Sequence, residues 1–351
     1  MDGLLRRSPS LVFHWKGPQL YIHNYQTRIS VAAQPIVLEL LVFFEPPRRA
    51  ASLPALMPCF PAESILQAVE DLVAHTLLEP FDAAAKARDR AMRQWDTWGL
   101  EARYFHWATK DVNYIHPEEL AAYDEVRKSQ SRSPVAFKRY VGAETISLPK
   151  ADADLPQKFT DVLYSRRTER HFDGRPITIQ QLATLLKLTW GVSKWEHSPT
   201  FGKIGLKTSP SGGARHPIEA YIAVHNVRGL KQGLYHYAAD RHKLHVIHYG
   251  SVKQRAEKYC GNQWWTRNAA ALFIMTAVFE RTRWLYDSSR ALRNIYIEAG
   301  HLCQTFCLTA TGLRLAPFCT TALADSMIER DLGLDGIRES VLYVAAAGHI
   351  G

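Results

Sequence analysis

At 351 residues, 46% hydrophobic and 22% charged, the chain has an ordinary globular composition and enough length for two cores. Its net charge of +9 is scattered, with no basic stripe, zinc knuckle or recognition-helix motif, so nucleic-acid binding is not expected. No stretch approaches ~20 uninterrupted apolar residues, and residues 1–7 lack the apolar run of a signal peptide. The expectation is a cytoplasmic protein without a membrane span.

The five cysteines (Cys59, Cys260, Cys303, Cys307 and Cys319) are odd in number and lack CxxC spacing, which argues against a disulfide framework and against a metal site. Cys303 and Cys307 fall at i, i+4 on an apolar helix face and read as small core residues.

In chain order, residues 11–25 alternate apolar and polar positions around Gly17-Pro18, a hairpin pattern. A helix is expected at 35–44, opened by Pro35, and another at 64–78 with Ile65, Leu66, Val69, Leu72, Val73 and Leu77 on one face. Residues 83–127 read as helical and charged. Their cluster of Trp95, Trp98, Tyr104, Phe105, His106 and Trp107 reads as a packed seam. Residues 128–157 are polar and turn-rich, including Ser131 and Ala153, and form the linker candidate. The expected division is 1–82, then a helical connector and linker at 83–157, then a second domain at 158–351.

That domain is expected to open with a helix carrying the arginine cluster, followed by a helix at 179–189. Strands are expected at 220–224, 234–237, 244–247, 271–278 and 341–345. Between the last two, residues 288–311 carry an amphipathic stripe through Leu292, Ile295, Tyr296, Ala299, Cys303, Phe306, Cys307 and Ala310.

Two stretches carry chemistry. Ser165-Arg166-Arg167-Thr168-Glu169-Arg170-His171-Phe172 packs three guanidiniums and a hydroxyl together, the equipment for gripping a phosphate, although surface arginines can instead pair with Glu169 and Asp173. Ser209-Pro210-Ser211-Gly212-Gly213 leaves backbone N–H groups uncovered, suited to a flat ring or an anion. In this order and spacing the two resemble the flavin-binding segments of the FMN-dependent nitroreductase superfamily. The nearest likeness is to its SagB-type branch, the azoline dehydrogenases of thiazole/oxazole-modified peptide pathways.

The resemblance implies an α+β fold: a nitroreductase-like FMN domain, with a mixed sheet flanked by helices, preceded by a small winged-helix-like domain. It implies FMN held by Arg166, Arg167, Thr168, Arg170, Pro210, Ser211, Gly212 and Gly213. Ala316 and Pro317 lie in the loop at 312–318 that reaches the cofactor. Gly233-Leu234-Tyr235-His236-Tyr237 and Glu298-Ala299-Gly300-His301 match two further family marks, read structurally as a hairpin and as a tight helix crossing where only Gly fits, with Glu298 and His301 placed to bond each other. Where the family often has Leu-Tyr before a proline, this chain has Arg215-His216. His216 reads either as a substrate-side proton donor or as an ordinary half-buried histidine.

Azoline dehydrogenases carry a Lys-Tyr pair associated with catalysis. Here Tyr286 takes the tyrosine position and Leu285 replaces the lysine. A tyrosine with pKa ~10 is a poor base at neutral pH without a neighbouring cation, and Arg281, Arg283 or Arg290 are the candidates to supply one. The function implied is azoline-to-azole oxidation in a ribosomally made peptide. The partners implied are a precursor peptide, a second copy of the chain packed through the 288–311 helix, and a cyclodehydratase or dehydratase complex. The alternatives are a flavin-dependent reductase of a dehydroalanine-type residue, an NAD(P)H nitroreductase, and a non-catalytic peptide-docking subunit.

Overall fold

The computed structural model describes residues 3–130, 132–152, 154–198 and 201–351. Met1, Asp2 and, in the expected linker, Ser131 and Ala153 lie outside the described residues. The chain divides into two compact units, Met1–Val112 and Asn113–Gly351.

In the first unit, Leu11–Lys16 and Gln19–Asn24 form the expected hairpin, and Ile29–Ala33 adds a third antiparallel strand. A second small sheet joins Leu4–Arg7 to Arg48–Arg49 and Leu78–Pro80. Helices Ile36–Phe43 and Ala62–Ala74 bury Leu40, Leu41, Ile65, Val69 and Leu72 in one core with Ile22 and Phe44. The second helix ends four residues before Leu78, which sits in a strand. The aromatic cluster packs on itself, with the Trp95 ring 4.8 Å from Trp107 and 4.7 Å from His106.

The second unit is built on a seven-stranded sheet. Its order across the sheet is Ala316–Thr320, Glu339–Gly348, Ala271–Val278, Ile218–Val224, Gly233–Ala238, Lys243–Tyr249 and Thr145–Ser147. Every neighbouring pair in it is antiparallel, and the parallel pairing lies apart, between Ile177–Thr178 and Val227–Arg228. The central strand Ile218–Val224 is buried at every position because helices cover both faces. Ile218, Ala220, Ile222 and Val224 face one core with Trp190 and Phe306; Tyr221 and Ala223 face the other with Tyr259 and Phe318.

Three expectations change. The helix Phe159–Ser165 stops before Arg166, so the arginine cluster lies on the extended segment that follows it. Residues 316–320, of which 316–318 were expected in a loop, form the edge strand of the sheet, paired with 344–348 and buried at Ala316, Pro317 and Phe318. The expected linker also contributes structure: Thr145–Ser147 closes the sheet's far edge, and Lys138 Nζ donates to Tyr221 Oη and Glu339 Oε2, each at 2.6 Å.

Candidate functional site

The turn at 209–216 is held in an unusual backbone conformation. Gly213 has φ +59°, and Ala214 and His216 follow at +51° and +45°, left-handed values that cost a non-glycine residue roughly 1 kcal/mol each. The turn closes on itself through Ala214 N–H to Ser211 O at 3.1 Å and His216 N–H to Ser211 Oγ at 2.9 Å. It is pinned to the long helix Ala291–Gly312 by a 2.7 Å bond between Ser209 Oγ and Thr305 Oγ1.

Beneath the turn lies a buried charged network. Arg281 Nη2 donates to Glu219 Oε1 at 2.5 Å, its Nη1 to His216 O at 3.1 Å and its Nε to Val135 O at 3.0 Å. Glu219 is bonded on its other oxygen to His236 Nε2 at 2.8 Å. Burial works against the Glu219 carboxylate, but Arg281 and His236 more than offset it and hold it well below the usual range. Arg281 therefore fixes the strained His216 carbonyl from below.

Tyr286 meets this turn. A Cβ on Gly212 would lie 3.6 Å from the Tyr286 ring; one on Gly213 would lie 3.1 Å from Tyr286 Oη and 2.3 Å from Leu285 Cδ2. Gly213 is thus required for the turn and the Leu285-Tyr286 pair to approach this closely, whereas a side chain at Gly212 would only touch the Tyr286 ring. Burial raises the Tyr286 pKa, and the pull of Arg215 in the opposite direction is too small to reverse it. The cation facing Tyr286 is Arg215, not the arginines expected to stand in for the lysine; Arg281 is committed to Glu219. The Arg215 guanidinium lies over the Phe201 ring at 4.6 Å and the Trp284 ring at 5.7 Å, an aromatic cradle assembled from distant segments. Arg127, in the helix Leu120–Gln130, donates to Trp284 O at 2.7 Å and pairs with Asp287 at 2.5 Å, bracketing the tyrosine from either side in sequence. A cavity beside Tyr286 is lined by Phe279, Leu292 and Ile295.

Behind Ser211, Glu298 is pushed up to about 7 by burial, against a hydrogen bond from Ser211. His216 Nδ1 lies 3.9 Å from Glu298 Oε1, and burial pulls the imidazole down to about 3, so it is neutral. Burial likewise draws the Lys207 amine down to about 8. His301 is exposed rather than paired with Glu298, and a Cβ on Gly300 meets nothing within 4 Å, so this glycine marks no tight crossing within the chain.

The arginine segment lies along the edge strand, with Glu169 N–H bonded to Pro317 O at 2.9 Å and Arg170 over the Phe318 ring at 5.9 Å. Thr168 and Arg170 are exposed; Ala316 and Pro317 are buried. Among the described residues, Arg166, Arg167 and Arg170 form no ion pair with a carboxylate. Asp173, expected as a competing partner, is taken by Arg175. Arg167 Nη1 donates to the carbonyls of Tyr164 at 3.0 Å and Arg166 at 2.8 Å. Forked cations left unneutralised beside an ordered strand are suited to an anionic group.

Residues 163–349 match the nitroreductase family, and the chain belongs to it; members of that family are oxidoreductases that typically bind flavin. The chain is similar to a protein of Methanocaldococcus jannaschii described as a nitroreductase, 32% identical over 50% of this chain and 84% of the relative. It is also similar to the trifolitoxin-processing protein TfxB of Rhizobium leguminosarum bv. trifolii, 24% identical over 85% of this chain and 83% of the relative. Among solved structures, a nitroreductase-type protein of Anabaena variabilis shares the fold at TM-score 0.51 and 24% identity, over 69% of this chain but only about half (49%) of its own length. Among the described residues no helix is long and apolar enough to cross a membrane.

Proposed function

We propose that the chain is an FMN-dependent oxidoreductase that dehydrogenates a heterocycle in a ribosomally made peptide, azoline to azole. The observation that carries the flavin reading is the glycine turn packed against Tyr286, together with three guanidiniums that no carboxylate among the described residues neutralises. A cradle that a Cβ would fill, and the buried Arg215 Nε and His216 Nε2 without hydrogen-bond partners among the described residues, fit a planar polar group.

Arg166, Arg167, Thr168 and Arg170 hold the phosphate, with Ala316 and Pro317 backing it. The main chain of Pro210, Ser211, Gly212 and Gly213 lies against the ring. Ser211 hydrogen-bonds Glu298 on the long helix, and the charge of Arg166 is felt at Cys307, nine residues further along it. Those positions are about 13 Å apart along the axis, a span one cofactor with a ring and a phosphate can bridge. FMN bound there supplies a two-electron hydride acceptor or donor.

The peptide substrate is supported by coverage. A likeness to TfxB over 85% of the chain reaches into the first unit, whereas the archaeal nitroreductase aligns with half the chain. The outward face of the long helix, where Tyr296 and Ile297 are 51% and 55% exposed beside Gly300, supports a homodimer built on it. Ile295 and Phe306 belong instead to the chain's own core, so Tyr296 and Ile297 are where charges test association.

One observation favours a second reading. Tyr286 keeps its proton at neutral pH, and no lysine adjoins it, so its Oη is a proton donor and not a base. Reduction of a dehydroalanine-type residue needs such a donor.

The test is turnover of two peptides, one bearing azolines and one bearing dehydroalanine, followed by mass. Loss of two hydrogens per azoline ring supports oxidation; inert azoline with two hydrogens gained at the alkene replaces it by reduction. In the reduction Tyr286→Phe should slow turnover by roughly 10²–10⁴ with flavin content unchanged, whereas in the oxidation, where a protonated tyrosine is no base, it should cost far less. A flavin-free protein that binds peptide would leave only a docking subunit.

A further inference from the structure

The cysteines were expected to be small core residues, but the fold gathers three of them. Cys303 and Cys307, one turn apart on the long helix, meet Cys319 of the edge strand, and the three sulfurs lie within 4.8 Å of one another. Tyr343, on the neighbouring strand Glu339–Gly348, donates from Oη to Cys319 Sγ at 3.4 Å. Cys303 and Cys307 are buried, whereas Cys319 and Tyr343 are half-buried, which leaves an approach from one side.

We propose that Cys303, Cys307 and Cys319 form a thiolate site for a thiophilic divalent cation, Zn(II), with Tyr343 Oη or a water at the fourth position. Zn–S bonds of about 2.3 Å place tetrahedral sulfurs just under 4 Å apart, which small rotations of these side chains reach. The reaction is simple exchange: three S–H protons leave to solvent and three S–Zn bonds form, with no change of oxidation state.

Charge favours it. Three thiolates and Zn(II) carry one net negative charge, and the guanidinium of Arg166 acts on both Cys307 and Cys319. Three apolar-packed thiols would need neither a cation nor a phenol beside them. The inference does not rest on the flavin reading.

The experiment uses the full chain purified without chelator, with metal measured by elemental analysis and Co(II) then added to the stripped protein. The expected result is about one zinc per chain and Co(II) bands of a tetrahedral, thiolate-ligated ion at wavelengths beyond flavin absorption. Cys319→Ser and Cys303→Ser should each lower bound zinc at least tenfold, with unchanged circular dichroism. Cys59→Ser, at an exposed thiol, should change nothing. Wild-type protein with no zinc and no Co(II)–thiolate band overturns the site and leaves three core thiols. Full metal content in Cys319→Ser overturns it equally.

Discussion

The arginine segment at 166–170 and the turn at 209–216 sit at two ends of one candidate site and are built on opposite principles. The first is open: its cations pair with no carboxylate among the described residues, and Arg167 and Arg170 are exposed, held by backbone carbonyls and by the Trp265 and Phe318 rings. The second is overdetermined. Three left-handed residues are held by a buried ion network below, the long helix behind and a tyrosine in front. An anion is bound by charge, which tolerates movement. A flat ring must be met by shape, which does not.

The largest effect should follow from cutting the turn's support. Arg281→Leu leaves Glu219 and the His216 carbonyl without their buried cation and should cost about 3–5 kcal/mol in urea unfolding. If it costs less than about 1 kcal/mol, the turn is not held from below and the contrast fails. Next is the open end. Arg166→Ala should weaken FMN retention by about 1.5–3 kcal/mol, roughly 10–150-fold, leave unfolding unchanged, and shrink the salt sensitivity of flavin binding. A salt-independent loss would assign Arg166 to packing.

The smallest effect is a pH dependence at the closed end. Burial raises Glu298 from 4.5 to about 7, so the folded state keeps this proton to higher pH than the unfolded chain. Its contribution is full below about 4.5 and is lost as pH rises through about 7. His216, held neutral down to about 3, contributes in the opposite sense, losing stability as pH falls from 6.5 toward 3. The quantity to read is therefore the difference between variants. Glu298→Gln should gain on wild type by on the order of 2 kcal/mol between pH 4.5 and 8 in thermal unfolding. No divergence would mean that Glu298 is solvated.

What could be read in advance follows the same division. The strands at 218–224 and 271–278 and the long helix were legible, because two-sided burial leaves continuous apolar runs and one-sided burial leaves a helical stripe. Residues 316–320 were not: Pro317 and Cys319 interrupt the pattern, and only pairing with 344–348 reveals a strand. Gly212, Gly213 and Tyr286 could be named from sequence, and the fold brings them into contact. Arg215 could not be matched to Tyr286, since its cradle of Phe201 and Trp284 comes from separate segments. Nor could Glu219, which meets His236 across 17 residues and Arg281 across 62. Arg127 was hidden in a stretch that reads as connector, yet its helix fastens the segment carrying Tyr286.

If the two regions grip one cofactor, the purified chain carries flavin. Released flavin should be FMN, about one per chain by absorbance and chromatography, and Gly213→Ala should lose it because its Cβ would meet Leu285 at 2.3 Å. Colourless wild-type protein that takes up no added FMN, or a Gly213→Ala variant that binds FMN as tightly as wild type, would contradict the account.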